Sequence, residues 1–341
     1  MDFNKLNSVF IVAELSANHN GSFDTAIETI KAAKRAGADA IKLQTYTADT
    51  ITLDSKTDDF LLKQGTLWEG KYLHDLYKEA YTPWEWHKQL FEVAKEEGLI
   101  CFSSPFDLTA VDFLESLENP IYKIASFEIS DIPLIKYVAS KGKPIIISTG
   151  IASKEDIELA IATCKNEGNS QIALLKCTSS YPAPISEANL TMIKDFANKF
   201  NVIPGLSDHT LGLTAPIVAV TQGAKIIEKH FILDKSIGGP DASFSLDQKE
   251  FTQMVKAVRE AELAIGKVDY KLTSKQLEGK NYCRSLYVSK DVKKDELITI
   301  KNVRSVRPGH GLHPKYLKDI LGKKFSRHLK KGERMSLELI K

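Results

Sequence analysis

The chain has 341 residues, 43% of them hydrophobic and 26% charged, with 46 Lys+Arg against 44 Asp+Glu for a formal net charge of +2. This is apolar material for a sizeable core, which excludes a disordered chain or a disulfide scaffold, and the balanced charge gives no global signature of a nucleic-acid binder. No stretch supplies the roughly 18 uncharged apolar residues of a membrane span, so neither a nucleic acid nor a membrane is an expected partner.

In chain order, residues 9–13 are a short apolar run that ends on Glu14. No basic segment precedes it and no small-residue cleavage site follows, so it reads as a first strand and not as a signal peptide. An amphipathic segment follows at 24–35, with Asp24 as its expected N-cap and Gly37 past its end. Seven more β-branched runs occupy 40–43, 99–102, 121–125, 144–148, 172–177, 202–206 and 225–229. Helical patterns fall between them at 83–97, 108–117, 134–141, 154–166, 188–199, 214–222 and 248–265, the first with Thr82 as cap and Pro83 at its first position. Strands that alternate with helices pair in parallel through right-handed crossovers, and eight such units over roughly 265 residues have the size of a (β/α)8 TIM barrel. The rival, a doubly wound open sheet, wants a glycine-rich turn after its first strand. Here that place holds Leu15-Ser16-Ala17-Asn18-His19-Asn20-Gly21.

The connection 45–81 is long and carries its own aromatic residues, which predicts a lid or binding loop. The domain reading is a barrel at 1–266, a polar lysine-rich linker at 267–281 and a small β-rich domain at 282–341. A core that small is marginal alone, so it is expected to pack on the barrel or on a neighbouring subunit. Cys101, Cys164, Cys177 and Cys283 show no C-x-x-C spacing, the pattern of reduced thiols in a cytoplasmic protein.

Barrel active sites lie at the C-terminal strand ends, and every candidate strand delivers polar groups there. In order they bring Glu14; Lys42 and Gln44; Ser103 and Ser104; Lys123, Ser126 and Glu128; Ser148 and Thr149; Lys176, Ser179 and Tyr181; Ser207, Asp208 and His209; Glu228, Lys229 and His230. Lysines with serines are the groups that hold a phosphate or carboxylate. The rival reading pairs each lysine internally with Glu14, Glu128, Asp208 or Glu228; taken as a set, Lys42, Lys123 and Lys176 point to a bound anion. His209 and His230 end adjacent strands about 4.8 Å apart, close enough to share one metal ion, although hydrogen-bonded structural histidines fit the same positions. Asp241, in Gly238-Gly239-Pro240-Asp241, suits a sugar hydroxyl or a plain turn. His19, His74, His87 and His313 need no more than structural or solvated roles.

Several segments resemble the sialic acid synthase family: Ala13–Gly21 read as residues 13–21, Ile41-Lys42-Leu43-Gln44-Thr45-Tyr46, Tyr122-Lys123-Ile124-Ala125-Ser126-Phe127-Glu128, Ser148-Thr149-Gly150, Gly205-Leu206-Ser207-Asp208-His209-Thr210, Glu228-Lys229-His230-Phe231 and Gly239-Pro240-Asp241. Residues Arg304-Ser305-Val306-Arg307-Pro308-Gly309-His310-Gly311 resemble that family's antifreeze-like (SAF) domain. Leu15 and Ser16 after Glu14, Phe127 between Ser126 and Glu128, Leu43, Ser179 and the stretch Tyr81-Thr82-Pro83-Trp84-Glu85-Trp86-His87 are similar to the family's pseudaminic branch.

The resemblance implies a condensation of phosphoenolpyruvate with a hexosamine. In the pseudaminic branch the acceptor is the diacetamido hexose 2,4-diacetamido-2,4,6-trideoxy-L-altrose. It implies that Lys42, Ser104, Lys123, Ser126, Ser148, Ser179 and Ser207 hold phosphoenolpyruvate, and that Gln44, Phe127, Glu128, Tyr181, Asp241 and Arg307 meet the sugar. Glu14 and Glu128 are the implied proton-transfer groups. His209 and His230 are the implied ligands of a divalent ion, Mn2+ first, with Mg2+ or Co2+ as substitutes. Arg307, with Arg304 as a local competitor, is expected to reach a partner's site in a domain-swapped homodimer. Three rivals stand beside this: N-acetylneuraminate or legionaminate synthesis, a Schiff-base aldolase working through Lys123 or Lys176, and a non-catalytic carbohydrate- or ice-binding protein.

Overall fold

The structure is a computed structural model that describes residues 2–63 and 67–341. The chain divides into two compact units, Met1–Gly266 and Lys267–Lys341. The first is built on eight parallel strands: β1 Phe10–Glu14, β2 Ala40–Thr45, β3 Ile100–Pro105, β4 Tyr122–Ile124, β5 Ile145–Ser148, β6 Ile172–Lys176, β7 Ile203–Asp208 and β8 Ile226–His230. They pair in sequence order, and β1 closes on β8 with Phe10 opposite Ile226 and Glu14 opposite His230. All eight predicted strands are present with ends shifted by at most three residues, and the fold is the predicted (β/α)8 barrel.

Side chains on a strand alternate between two faces, and each face of this barrel has its own core. Phe10, Val12, Ala40, Phe102, Ile121, Ile146, Ala173, Leu175 and Ile226 cluster together with Phe3, from the 3-10 turn Phe3–Lys5. The alternate positions, such as Ile11, Ala13, Ile41, Leu43 and Ile227, pack instead against residues of the surrounding helices, including Ile30, Leu90 and Phe251. Inside the barrel the sequence changes character along the strands. Two residues beyond Val12, Ala40, Phe102, Ile121, Ile146, Leu175 and Ile226 stand Glu14, Lys42, Ser104, Lys123, Ser148, Cys177 and Glu228. The apolar interior therefore ends in a polar layer at the C-terminal strand ends.

Helix starts are set by local hydrogen bonds. Ser153 and Asp247 open Lys154–Asn166 and Gln248–Ile265 with capping boxes, each worth about 1 kcal/mol. Two cap predictions need correction. Phe23–Arg35 is capped by Ser22, whose side chain accepts from the Thr25 N–H, with Asp24 inside the first turn. Trp84–Glu96 has Pro83 at its N-cap and no side-chain cap; the Thr82 hydroxyl lies instead 3.2 Å from His19 Nε2.

In the second unit, β9 Ser285–Val288 pairs antiparallel with β10 Val303–Val306. Leu286, Val288, Ile298, Val303, Phe325 and Met335 form its small core. The stretch read as a linker contains a short helix, Ser274–Gly279, opened by a capping box from Thr273. Cys101, Cys164 and Cys177 are buried and Cys283 is exposed, all of them free. Among the described residues no helix is long and apolar enough to cross a membrane.

Candidate active site

The polar layer is a network of buried charges. Lys42 Nζ lies 2.5 Å from Glu14 Oε2 and 3.4 Å from Ser104 Oγ. Lys123 Nζ lies 2.7 Å from Glu228 Oε1, which also accepts from Ser207 Oγ at 2.9 Å. Gln44 Nε2 donates to Glu14 Oε1 and to Ser16 Oγ, each at 2.9 Å. The internal pairing that the sequence reading set below a bound anion is thus realised for two of the three lysines. Lys176 is not in the ring at all. It falls on the outward alternate of β6, and its Nζ bonds the Cys177 carbonyl at 2.5 Å.

The two ion pairs are not equivalent. Burial raises the Glu14 pKa, with Lys42 opposing and Glu228 adding to the rise. Burial also disfavours ionised Glu228, but Lys123 and Lys42 outweigh it and hold its pKa low. Of the two carboxylates, Glu14 is therefore the one more readily protonated. Lys42 is kept charged by Glu14 and Glu228 against burial, whereas burial lowers Lys123.

Beside the lysines stands a group of hydroxyls. Ser126 Oγ accepts from the Gly150 N–H at 3.0 Å. Ser148 Oγ and Ser179 Oγ are buried with no partner. A Cβ on Gly150 would collide with Ser179 Oγ and come 2.7 Å from Ser126 Oγ, so only glycine lets these hydroxyls converge. Unpartnered buried hydroxyls are costly, and each of these could donate to an oxygen of an anion bound beside the lysines.

Next to this cradle lie the two histidines, ring centroids 5.3 Å apart. His209 Nδ1 is 3.0 Å from the Thr178 carbonyl, which can only accept, so the ring's lone pair is on Nε2. His230 Nδ1 is buried without a hydrogen-bond partner and lies 3.6 Å from Asp241 Oδ2. Burial and His209 lower the His230 pKa well below the usual range, which keeps it a neutral donor. Tyr181 and Phe244 pack on the rings, with centroids 4.4 Å from His209 and 4.9 Å from His230. Cys177 Sγ lies 3.8 Å from His209 Nδ1; burial disfavours its thiolate, but His209 brings the thiol down to about 7. Burial opposes an imidazolium at His209, but Cys177 and the Thr178 carbonyl outweigh it and raise its pKa; with that proton released, two imidazoles with an aspartate nearby suit a divalent ion. Among the described residues no group of three or more His, Cys, Asp or Glu has metal-holding geometry. The protein's own donors would leave coordination positions for water or substrate, as catalytic sites do.

Above these groups opens a cavity of about 470 Å³. Its polar side is Ser16, Gln44, Glu128, Ser179, His230 and Asp241. Its other side is apolar, with Ile51, Leu73 and Leu76 from the 45–81 connection joined by Phe106 and Phe127. Trp68 Nε1 of the same connection donates to the Pro240 carbonyl at 3.2 Å, tying the excursion to the loop after β8. Phe127 and Glu128 sit on the 3-10 turn Ser126–Ser130; Phe127 is 57% exposed, while Glu128 is largely buried and burial raises its pKa to about 7.

The structure thus brings together Glu14, Lys42, Gln44, Ser104, Lys123, Ser126, Phe127, Glu128, Ser148, Ser179, Tyr181, Ser207, His209, His230 and Asp241 in one region of the barrel. Arg307 belongs to the second unit, where it is exposed. His19 and His87 are structural: buried, held by Thr82 and Thr45, and lowered to about 4 by burial. Sequence reasoning gave Cys177 no place in the site and Glu228 only that of a possible lysine partner. The signal was available: each lies two residues from another inward residue of its strand, His230 and Leu175.

Comparisons with known proteins show the family. The NeuB family profile matches residues 29–270, and the SAF domain profile matches residues 284–334. The pseudaminic acid synthase of Campylobacter jejuni is 51% identical over 332 residues, 97% of this chain and 96% of the relative. That of Helicobacter pylori is 49% identical over 329 residues, 96% of both chains. Among solved structures, the N-acetylneuraminic acid synthetase of Leptospira borgpetersenii in complex with citrate superposes with a TM-score of 0.71 at 31% identity, covering 80% of this chain and 90% of that one.

Proposed function

Because the chain belongs to the NeuB family, we propose that it catalyses the pseudaminic acid synthase reaction. Phosphoenolpyruvate and water condense with 2,4-diacetamido-2,4,6-trideoxy-L-altrose to give pseudaminic acid and phosphate. The observation that carries this reading is the near full-length identity to two pseudaminic acid synthases. The cavity supplies a physical reason for the acceptor. That sugar brings three methyl groups, one at its deoxy carbon and two in its acetyl groups, and most of the cavity's lining is apolar.

The donor lies on Lys42 and Lys123 with the hydroxyls of Ser104, Ser126, Ser148, Ser179 and Ser207. Its phosphate competes with Glu14 for Lys42, which frees the Glu14 carboxylate, whose pKa burial raises, to act as a base. Gln44, Phe127, Glu128, Tyr181 and Asp241 hold the open-chain sugar, with Arg307 supplied by a second copy in a domain-swapped homodimer. His209 and His230 would hold a divalent cation, Mn2+ before Mg2+ or Co2+, which would supply Lewis acidity toward the sugar aldehyde.

The enol carbon of phosphoenolpyruvate forms the new C–C bond with the aldehyde carbon, and the aldehyde oxygen takes a proton. Glu128, with a pKa of about 7, is matched to donate it near neutral pH. Water adds at the carbon bearing phosphate and passes its proton to Glu14, and phosphate leaves by C–O cleavage. The cytoplasm, where phosphoenolpyruvate is made, is the compartment this chemistry needs.

The test is mass spectrometry of products from phosphoenolpyruvate and a panel of hexosamines. Pseudaminic acid with one phosphate per turnover is expected. Preference for N-acetylmannosamine, or for the legionaminate precursor, would overturn the acceptor assignment.

A further inference from the structure

We propose that Lys229 and Asp208 form a positioning clamp that sets the separation of His209 and His230, and through it the site's affinity for a divalent cation. Both residues lie outside the barrel interior. Glu228 and His230 occupy inward positions of β8, so Lys229 between them faces outward. Asp208 is its direct neighbour across the β7–β8 ladder. The Lys229 side chain is nonetheless fully buried, with no exposed surface, and the reaction gives it no task.

Its ammonium has two acceptors, Asp208 Oδ2 and the Thr210 carbonyl, both at 2.5 Å. Asp208 Oδ1 in turn accepts from the Thr210 N–H at 2.9 Å. These three bonds close a ring of contacts around the residue between Asp208 and Thr210, which is His209. The fourth side of the ring is covalent, because Lys229 precedes His230 in the chain. One ammonium therefore ties the backbone on both sides of the first imidazole to the backbone of the second.

Core stability does not require such a device. A buried ion pair is often no more stabilising than a well-packed apolar pair of the same volume. An apolar pair, however, offers the Thr210 carbonyl no donor and leaves the turn that carries His209 free to shift against β8. Shared coordination depends on the distance between the two rings, so this shift is what the clamp prevents. The proposal rests on the reading of His209 and His230 as metal ligands.

The test uses the full chain stripped of metal and titrated with Mn2+, free Mn2+ being followed by electron paramagnetic resonance and folding by calorimetry. In the double variant Asp208→Leu/Lys229→Met both charges are removed together. Its Mn2+ dissociation constant should rise about ten- to a hundred-fold, the range for lost outer-shell support of a metal ligand. Excess Mn2+ should restore turnover, and the KM for phosphoenolpyruvate at saturating Mn2+ should stay within about two-fold. A folded double variant that binds Mn2+ like the wild type overturns the clamp.

If the double variant does not fold, Asp208→Asn decides. It keeps an acceptor for the Thr210 N–H and removes the charge facing Lys229. Several-fold weaker Mn2+ binding supports the clamp, and unchanged binding overturns it. His230→Ala separates the two levels of the argument. Mn2+ binding that survives His230→Ala refutes the ligand assignment and the clamp with it, whereas failure of the clamp alone leaves binding dependent on His230.

Discussion

Gly150→Ala perturbs the hydroxyl cradle with a single methyl group. The backbone of Gly150 is outside the left-handed region, so alanine meets no conformational strain there. The conflict is steric: the new Cβ overlaps Ser179 Oγ and lies 2.7 Å from Ser126 Oγ. At least one hydroxyl must leave its place. A hydrogen bond to a charged group is worth about 1.5–3 kcal/mol, and 1.4 kcal/mol is a factor of ten. The KM for phosphoenolpyruvate should therefore rise about ten- to a hundred-fold, while the KM for the sugar stays near its wild-type value. Overpacking of this kind costs about 1–3 kcal/mol, within the 5–15 kcal/mol typical of a folded domain, so the variant remains folded. Phosphate release with phosphoenolpyruvate varied at saturating sugar and Mn2+ measures the effect, and a melting curve confirms the fold. A folded Gly150→Ala enzyme with an unchanged KM for phosphoenolpyruvate would refute the assignment of these hydroxyls to the phosphate.

Three further outcomes are expected. Glu128 has its pKa raised to about 7, so its acid form prevails below that pH; kcat/KM for the sugar should fall as pH rises through about 7, and Glu128→Gln should lower the rate and flatten this limb. A rate that instead rises through pH 7 assigns Glu128 the opposite proton role. Chelation should abolish turnover with recovery on adding Mn2+, and His230→Ala should lose it without recovery at moderate Mn2+; turnover that persists in chelator, with borohydride trapping at a lysine, would restore the Schiff-base reading. His230→Ala and Arg307→Ala chains, each inactive alone, should regain part of the activity when mixed after dissociation, and no recovery counts against a shared site.

The barrel was legible because its signal is repeated eight times. Each strand shows the same switch from apolar to polar at its C-terminal end, as in Val12 to Glu14 or Ile121 to Lys123. What was not legible depends on contacts far apart in sequence. The partners of Lys42 and Lys123 are Glu14 and Glu228, on β1 and β8, and only the closed barrel brings them together. Lys176 was drawn into the ring by proximity to the strand end, although its place in the alternation faces it outward. The 45–81 connection shows its length in sequence but not its destination: Leu73, Leu76, Tyr77 and Ala80 recur at helical spacing on the helix Leu73–Ala80, but that spacing does not say what the face is turned toward. The caps at Ser22 and Pro83 were missed for a smaller reason: serine and aspartate compete for the same role two residues apart, and Thr82 has a better partner in His19.

The pairing of β1 with β8 also bears on how the protein is made. Glu14 stands opposite His230, more than 200 residues later in the chain. Lys42 and Glu14 are synthesised early, yet Glu228 and the two imidazoles that complete the polar ring arrive only with the last quarter of the barrel. At ribosomal rates of roughly 5–20 residues per second the first strand waits ten seconds or more for its neighbour. During that time it is an apolar edge tipped with a carboxylate, and the nascent chain has no working site to expose to the cell's phosphoenolpyruvate. On this reading catalytic competence cannot precede ring closure, and any cut or stall before His230 leaves the polar ring incomplete.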